Sequence, residues 1–324
     1  MKVSLIVTVL NEARSLPALL DTIAAQTRQP DEVVVCDGGS TDGTLDVLRG
    51  ETRFPVRVIE RPGCNISQGR NFAIEAATSE VIASTDAGVR LDPQWLEKLV
   101  EKAGQDDTRN VSHVVAGFFL PDVHTPFEIA MGATVLPQLR EIDPAKFLPS
   151  SRSVAFTKAA WQAVGGYPEW LDYCEDLIFD FALRDKFGAF AFAPEAVAYF
   201  KPRSSIKSFF KQYYLYARGD GKANLWLKRH LIRYATYLVA LPVITWLAAK
   251  VNLWFAVLYI AGAAVYLKQP YQRLWPALRT LERAGQLKAI GWVPIIRVVG
   301  DIAKMMGYPV GVVWRRRRRI NDSE

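Results

Sequence analysis

The chain reads VIASTDAG at residues 81–88, a run of β-forming apolar residues that ends abruptly at the carboxylate of Asp86. The same pattern occurs earlier in DEVVVCDGGSTDGT, residues 31–44, where an apolar run ends at Asp37 and is followed by a Gly-rich segment. Open α/β sheets bind ligands at the carboxyl ends of their strands, so both carboxylates are well placed to meet a ligand. This pattern predicts a nucleotide and metal site, and the acidic pair Glu175-Asp176 indicates the chemistry.

Strand and helix patterns alternate through residues 1–205. Short apolar runs indicate buried strands, and apolar residues spaced three and four apart indicate amphipathic helices. Strands that alternate with helices predict an α/β fold, a mostly parallel sheet with helices on both faces. The first four predicted strands are Val3–Val9, Val33–Cys36, Val56–Ile59 and Val81–Ser84.

Composition places the chain between ordinary soluble proteins and polytopic membrane proteins. Half of its 324 residues are hydrophobic, and residues 231–268 are almost free of charge. The formal net charge of +7 suits either anionic lipid or nucleic acid. Because the C-terminal arginines follow an apolar region, we expect lipid headgroups and no nucleic acid. The cysteines, Cys36, Cys64 and Cys174, form no CxxC pair, which is typical of a reducing compartment.

The chain after residue 205 has the composition of a membrane-associated region. Residues 206–230 combine aromatic rings with Lys and Arg, which is typical of a membrane–water interface. Residues 231–268 predict two slightly short transmembrane helices joined at Lys250, since a spanning helix needs about 20 apolar residues. A hairpin within one leaflet and a helical pair buried in a soluble dimer are the alternatives. Residues 269–324 predict a cytoplasmic amphipathic helix at the interface and an arginine-rich tail.

The amphipathic helix is predicted at Ile290–Trp314, with Arg297, Asp301 and Lys304 on one face. Its other face carries apolar side chains at Ile295, Val298, Val299, Ile302 and Met306. The tail at Arg315–Arg319 would then hold anionic headgroups, each charge contributing about 1 kcal/mol near the surface. Basic residues on both sides of residues 231–268 place both ends of that segment in the cytoplasm.

Short motifs follow one another along residues 1–220 in a specific order. They are VTVLNE (7–12), DGGSTDGT (37–44), GRN (69–71), TDAG (85–88), DPQWL (92–96), GGY (165–167), ED (175–176) and YARGDG (216–221). Each motif is weak alone, but their order resembles that of the family 2 inverting glycosyltransferases. The resemblance implies the GT-A fold, a Rossmann-like architecture, and a nucleotide-diphosphate sugar as donor.

The resemblance implies a nucleotide pocket built from five residues. Asp37 would accept a hydrogen bond from the base, most often uracil, because a carboxylate suits an imide N–H. Asn11 and Glu12 would line the same pocket, and Arg70 and Asn71 would lie against the base or ribose. Taken by themselves, Asp37 also suits a Gly-rich turn and Glu12 a helix start.

The resemblance also implies that Asp86 contacts the ribose and a divalent metal, Mg²⁺ or Mn²⁺, as the first carboxylate of an Asp-x-Asp motif. Gly88 occupies the second Asp position and offers no ligand. Only one carboxylate remains, so metal dependence stays open at this point. A weakly held metal, a ligand from another residue and replacement by cations such as Arg218 are the alternatives.

Asp176 matches the family's general base, which takes a proton from the acceptor hydroxyl. Glu175 would serve if the register is shifted by one residue, and an acidic pair also suits a helix start. Arg218 loosely matches a Gln-x-x-Arg-Trp region and would neutralise the leaving diphosphate. Arg152 would face the donor sugar or the acceptor.

The expected protein is a membrane-anchored glycosyltransferase with its catalytic domain on the cytoplasmic side of the inner or plasma membrane. It would transfer sugar from a UDP-sugar or related donor to a hydroxyl of a lipid, a lipid-linked glycan or a polysaccharide. One alternative is a polyprenyl-phosphate sugar synthase, whose acceptor phosphate needs no base. The other is a non-catalytic nucleotide-sugar-binding membrane protein, which Gly88 motivates.

Overall fold

The computed structural model describes residues 1–104 and 112–321. The chain forms two compact units. The sheet unit consists of Met1–Asp122 and Leu139–Lys201, and the helical unit consists of Val123–Gln138 and Pro202–Glu324. In the predicted tail, residues 322–324 and the side chain of Arg319 lie outside the described part of the chain.

The sheet unit contains an eight-stranded sheet. Its strands are β1 (Val3–Val9), β2 (Glu32–Asp37), β3 (Val56–Glu60), β4 (Val81–Asp86), β5 (Val89–Leu91), β6 (Val114–Pro121), β7 (Val154–Thr157) and β8 (Ala191–Phe200). They lie in the order β3-β2-β1-β4-β7-β6-β8-β5.

Six of the eight strands of this sheet run in the same direction. Strands β3, β2, β1 and β4 are parallel, and β6 and β8, which pair in parallel with each other, run the same way. Strand β7 is antiparallel to its neighbours β4 and β6, and the edge strand β5 is antiparallel to β8. The sheet is therefore mixed but mostly parallel, as predicted, with β7 and β5 reversed. The sequence did not reveal this because a short buried apolar run looks the same in either direction.

The adjacent parallel strands β2, β1 and β4 bring the two strand-end carboxylates to one edge of the sheet. In the register of β1, Val9 lies beside Asp37 of β2, and Thr8 lies beside Asp86 of β4. Asp37 and Asp86 therefore flank the carboxyl end of β1, as the quoted stretches predicted.

The core forms on both faces of the sheet because alternate residues of a strand point to opposite faces. In β1, Leu5 and Val7 belong to one buried apolar cluster, whereas Ile6 belongs to a second cluster with Val34 and Ile82. The sheet therefore needs helices on both faces, which matches the predicted layer arrangement.

The chain forms twelve α-helices within the described residues. They are α1 (Leu16–Ala24), α2 (Thr44–Arg49), α3 (Ile66–Ala76), α4 (Trp95–Gly104), α5 (Pro126–Val135), α6 (Lys158–Ala163), α7 (Glu175–Phe187), α8 (Ile206–Ala223), α9 (Leu227–Ala235), α10 (Leu241–Lys250), α11 (Val257–Leu278) and α12 (Arg283–Asn321). Helix α3 begins at a reciprocal cap, in which Asn65 accepts from the Gln68 backbone and Gln68 accepts from the Asn65 backbone.

Helices α8 and α12 of the helical unit cross at very short distance because glycines lie at the crossing. A Cβ atom on Gly307 would lie 2.1 Å from the Tyr214 carbonyl oxygen, and one on Gly311 would lie 2.1 Å from the Arg218 carbonyl oxygen. Any side chain at these positions would push the two backbones apart, so this crossing requires glycine.

One helix of the helical unit is long and apolar enough to cross a membrane, judged by length and composition within the described residues. It runs from Leu227 to Lys250, through α9, a π-helical turn and α10, and it is not buried inside the unit. In place of the second predicted span, α11 begins only at Val257 and continues past Lys268 with two internal prolines. The apolar part of α11 is therefore too short to meet the same criteria.

Helix α12 has the predicted division into a polar and an apolar face, but the polar face points inward. Asp301 pairs with Arg233 of α9 at 2.6 Å, whereas Ile302 and Met306 are exposed. An amphipathic helix at a membrane surface buries its apolar face in lipid and exposes its charged face to water. In α12 the charged face is instead packed against the other helices of the unit.

Candidate functional site

Asp37 and Asn11 hold the Gly-rich loop that follows β2. Oδ1 of Asp37 accepts hydrogen bonds from the backbone N–H groups of Gly39 and Ser40, both at 2.8 Å. Oδ1 of Asn11 accepts from the Thr41 backbone N–H at 2.9 Å. Asn11 itself has a left-handed φ of 58°, which Asn tolerates better than most residues. These contacts fix the shape of the loop.

The second carboxylate oxygen of Asp37 is free for a ligand. Asp37 is 1% exposed, and its Oδ2 atom is buried without a hydrogen-bond partner among the described residues. Leaving a buried acceptor unpaired costs about 1–3 kcal/mol, so the atom favours a donor supplied from outside the protein. An imide N–H of a nucleotide base is such a donor.

Glu12 contacts residues near the start of α1, and its place in the nucleotide pocket stays a prediction. Its carboxylate accepts a hydrogen bond from the Ser15 hydroxyl, and its backbone N–H donates to the Thr44 hydroxyl at 2.8 Å. These contacts correspond to the helix-start alternative, in which Glu12 fixes the turn between β1 and α1.

Arg70 is a buried cation held between two carboxylates. Its Nη1 lies 2.6 Å from Glu175, its Nη2 lies 2.9 Å from Asp86, and its side chain is 4% exposed. Burial opposes the charge of Arg70, but Asp86 and Glu175 outweigh burial and raise the pKa of the guanidinium above its usual value. Arg70 therefore links β4 to the start of α7, and its contact with base or ribose stays a prediction.

Asn71 follows Arg70 on α3 but points in another direction, since successive helical residues are rotated by about 100°. Its amide donates to the Tyr167 carbonyl at 2.9 Å and accepts from the Trp161 indole N–H at 3.0 Å. A Cβ on Gly166, whose φ is +76°, would lie 2.8 Å from the Asn71 amide oxygen. Asn71 thus fixes the Gly-Gly-Tyr turn. The packing of Asn71 against this turn gives a structural reason for the residues of the GRN and GGY motifs.

Asp86 does not have the surroundings of a metal ligand. Its Oδ1 is bound by Arg70, and its Oδ2 lies 3.5 Å from Nε of Arg152, an ion pair too long for a well-aligned hydrogen bond. Burial raises the pKa of Asp86, but Arg70 and then Arg152 outweigh it and hold that pKa below its usual range. Gly88 offers no side-chain ligand. Across the described residues, no group of three or more His, Cys, Asp or Glu side chains suits a metal ion. These residues do not fit the predicted Mg²⁺ or Mn²⁺ site.

Glu175 and Asp176 open helix α7 immediately after Cys174, which has a left-handed φ of 66°. The carboxylate of Asp176 accepts from the Leu177 backbone N–H at 2.9 Å. Burial raises the pKa of both carboxyls, and the charge of Asp176 raises that of Glu175 further against the opposing effect of Arg70. Since Glu175 is bound to Arg70, Asp176 is the better placed of the two to take a proton.

Asp180 was missed from the sequence. It lies one helical turn after Asp176, it is buried, and its Oδ2 has no hydrogen-bond partner among the described residues. Burial and the charge of Asp176 raise the pKa of Asp180 well above its usual value. The spacing of four residues was the available signal, because it places Asp180 on the same face of a helix as Asp176.

Arg152 and Arg218 lie in different units. Arg152 belongs to the sheet unit, where its guanidinium carbon lies 4.5 Å from the Phe200 ring centroid. Arg218 lies in α8 of the helical unit. The structure therefore brings together Asp86, Arg70, Arg152, Glu175 and Asp176, with the Asp37 loop at the same edge of the sheet.

Comparison with known proteins supports the predicted family over the N-terminal half. Residues 4–161 match the family model described as Glycosyl transferase family 2. An uncharacterized glycosyltransferase of Nostoc sp. is 34% identical over 118 residues, covering 35% of this chain and 36% of that protein. The matching region thus spans about a third of that relative's length. Succinoglycan biosynthesis protein ExoA of Rhizobium meliloti is 26% identical over 293 residues, covering 82% of this chain and 87% of ExoA.

A solved structure supports the fold over most of the chain. The mannosyltransferase PcManGT from Pyrobaculum calidifontis, in complex with GDP-Man and Mn2+, has a TM-score of 0.60 and 22% identity. The similarity covers 90% of this chain and 87% of that chain. The predicted GT-A fold is confirmed, and residues 4–161 within it match the glycosyltransferase family model.

Proposed function

We propose that this chain, whose residues 4–161 form a glycosyl transferase family 2 domain, is an inverting glycosyltransferase that uses a UDP-sugar or a related donor. The acceptor is a hydroxyl of a lipid, a lipid-linked glycan or a polysaccharide. The observation that carries the proposal is the buried Arg70, which joins the strand-end Asp86 to the acidic start of α7. This contact puts a candidate base next to a strand-end ligand site.

The free oxygen of Asp37 supports the donor class. A buried acceptor suits the imide N–H of uracil, and the ring N–H of guanine offers the same hydrogen bond. We therefore rank UDP-sugars first and GDP-sugars second. Cytosine lacks a ring N–H at the equivalent position, so CDP-sugars are disfavoured.

Asp176 acts as the base in this mechanism. The acceptor hydroxyl oxygen attacks the anomeric carbon from the face opposite the diphosphate, and the bond from that carbon to the diphosphate oxygen breaks. The hydroxyl proton passes to the Asp176 carboxylate. A positioned carboxylate contributes typically 10²–10⁴-fold to such a step. Arg70 holds Glu175 in place beside Asp176 and so orients the start of the helix.

Arg152 is our candidate for neutralising the donor diphosphate, since the residues around Asp86 do not fit a divalent metal. It lies beside Asp86 at the ligand edge and is 22% exposed, so a ligand can reach it. A guanidinium binds phosphate oxygens in a bidentate manner. The predicted role of Arg218 remains a proposal.

The first experiment is nucleotide release from UDP-, GDP- and dTDP-sugars by the purified full-length chain with a membrane lipid extract. Asp176→Asn should lower the rate of release about 10²–10⁴-fold, because the amide cannot accept the proton. Asp185→Asn is the matched control, since Asp185 is exposed on the same helix. Equal activity of the wild type and Asp176→Asn would exclude Asp176 as the base and favour a phosphate acceptor.

Two further arms test the charge assignment. Release should persist in EDTA, and Arg152→Met should raise the KM for the donor. Arg90→Met is its control, because Arg90 also pairs with a carboxylate and covers a tyrosine ring. Donor binding without release from any donor would instead support the non-catalytic alternative. Complete loss of activity in EDTA, restored by Mn²⁺, would contradict the metal-free assignment.

We propose a location at the cytoplasmic membrane face. The support is the candidate spanning helix Leu227–Lys250 and the row of exposed apolar side chains along α9–α12. Flotation of the full-length chain with phospholipid vesicles tests this location. Protein that remains in the dense fraction in a folded state would contradict it.

A further inference from the structure

The inward face of α12 carries charged groups that the proposed reaction does not use. Arg297, Asp301 and Lys304 lie at helical spacing on this face. Asp301 is saturated: it pairs with Arg233 at 2.6 Å and accepts from the Tyr266 hydroxyl at 2.5 Å. Its carboxylate therefore has little capacity left for the other two cations.

Arg297 and Lys304 contact aromatic rings instead of carboxylates. The Arg297 guanidinium lies 4.4 Å from the Tyr266 ring centroid, and the Lys304 ammonium lies 4.9 Å from that of Tyr213. Nε of Arg297 is buried without a hydrogen-bond partner among the described residues. Neither cation forms a salt bridge within the described part of the helical unit, so both can bind an anion.

The charges of this cluster do not balance. Arg233, Arg297 and Lys304 face the carboxylates of Asp301 and Asp220, and Asp220 lies 3.2 Å from His230. Burial, followed by the charge of Arg233, lowers the pKa of Lys304 to about 8. A bound anion would relieve this repulsion between cations.

The helices that carry the cluster also carry exposed apolar side chains. On α12, Ile295, Val298, Ile302 and Met306 are exposed on the face opposite to the cations. Leu231 and Ile232 are exposed on α9, next to Arg233 in the chain. Because the membrane location proposed above puts these side chains in lipid, the phosphate of a lipid is the anion that this cluster would meet.

We propose that Arg233, Arg297 and Lys304 form a phosphate-binding site within the helical unit that takes the phosphate group of a membrane lipid. Arginine and lysine together supply the charge-assisted N–H donors that a tetrahedral phosphate requires. The site belongs to the helical unit alone, and it binds its ligand whether or not the proposed sugar transfer occurs.

Binding to the full-length chain in detergent is measured with two probes and no sugar donor. The first probe is inorganic phosphate, whose binding is measured as a rise in the thermal unfolding temperature relative to chloride at equal ionic strength. The second is flotation with phosphatidylcholine vesicles, with and without phosphatidic acid. The double variant Arg297→Gln/Lys304→Gln should weaken site-dependent binding about tenfold.

The matched control is Arg283→Gln/Lys288→Gln, which removes the same charge from exposed positions of the same helix. It should bind as the wild type does. If Arg297→Gln/Lys304→Gln weakens binding to phosphatidic acid vesicles but leaves the effect of inorganic phosphate unchanged, the site takes the phosphate of a lipid. If the variant weakens both, the site also takes free phosphate. Equal loss in both double variants, or loss in neither, would overturn the site. If the double variant does not fold, Lys304→Met is compared with Lys304→Arg, which keeps the positive charge. The site predicts weaker binding for Lys304→Met and binding close to that of the wild type for Lys304→Arg.

Discussion

The sheet unit and the helical unit place their apolar side chains in opposite ways. In the sheet unit, large side chains such as Trp95, Phe118 and Phe156 are fully buried in the core. In the helical unit, large apolar side chains recur on the outside of successive helices. Examples are Leu231, Ile232, Val239, Val243, Trp246, Ile260, Ile295, Val298, Ile302 and Met306. A contiguous exposed apolar surface of this kind is typical of a region that contacts lipid or another protein, and it agrees with the membrane location that we propose.

The two units also differ in which sign of charge is in excess around their buried ion pairs. In the sheet unit, Arg70 is shared by two carboxylates. In the helical unit, Asp301 is shared by Arg233 and tyrosine hydroxyls, while Arg297 and Lys304 lie over tyrosine rings and form no salt bridge with any described residue. The sheet unit has more carboxylate than its buried cation needs, and the helical unit has more cation than its carboxylates need. The first arrangement suits proton transfer and the second suits anion binding.

The largest expected effect on stability comes from the buried cation of the sheet unit. Arg70→Met should lower the free energy of unfolding by about 3–5 kcal/mol, because Glu175 would lose its cation and Asp86 would keep only the 3.5 Å ion pair with Arg152. The parallel change in the helical unit, Arg233→Met, should cost roughly 1–3 kcal/mol, since Asp301 keeps two tyrosine donors. Denaturant unfolding in detergent measures both. Equal losses would mean that the two networks do not differ as described.

A second test concerns the glycine crossing of the helical unit. Gly307→Ala should destabilise the unit by about 1–3 kcal/mol, since the new Cβ would collide with the Tyr214 carbonyl. Gly291→Ala on the same helix has open space around it and should instead stabilise by up to about 1 kcal/mol. Melting curves of the two variants decide the matter. A stable Gly307→Ala protein would show that the helices are not held so close.

The third test changes the outer surface of the helical unit. Ile302→Ser with Met306→Ser should weaken vesicle binding roughly tenfold, because apolar area would no longer enter the lipid. Its stability in detergent should change little, as both side chains are exposed. In the sheet unit, Ile6→Ser should unfold the protein, since Ile6 is fully buried. Vesicle binding that is unaffected by the double change would place this surface against something other than lipid.

The smallest expected effect is a pH-dependent gain in the stability of the sheet unit when Asp180 is replaced. The pKa of Asp180 is raised in the folded state, so its contribution to stability is full below the unfolded value of 3.8 and is lost as pH rises through the folded value. Asp180→Asn should therefore match the wild type in acid and become the more stable protein toward neutral pH. Thermal unfolding at several pH values shows the difference, with the exposed Asp185→Asn as control. A constant difference at every pH would show that folding does not raise the pKa of Asp180, and a relative gain of the wild type toward neutral pH would indicate a cationic partner.

Several features of the site were predictable from local sequence. Strands β1, β2 and β4 were recognised because buried apolar runs end at Asn, Asp and Gly residues. The convergence of Asp37 and Asp86 followed from the rule that parallel strands end at one edge. The Glu175-Asp176 pair was recognised through the order of the motifs.

Other contacts of the site residues could not be predicted because they depend on residues far away in the chain. The nucleotide contacts of Arg70 and Asn71 stay predictions, whereas their observed partners Glu175 and Tyr167 lie about a hundred residues later. The sequence spacing of a helix says which residues share a face, and it does not say what covers that face. The contact of the Glu12 carboxylate with the Ser15 hydroxyl is local by contrast, and it agrees with the helix-start alternative that the sequence offered.

The sequence by itself determined the α/β class, the GT-A resemblance, the strand-end carboxylates and the apolar character of the C-terminal region. These follow from local periodicity and from the order of short motifs. Only the tertiary structure decided that β7 and β5 run against the other six strands, that Arg70 binds one oxygen of Asp86 while Arg152 lies 3.5 Å from the other, and that the charged face of α12 points inward. Each of these depends on which distant surfaces are buried together, and burial is a property of the packed chain.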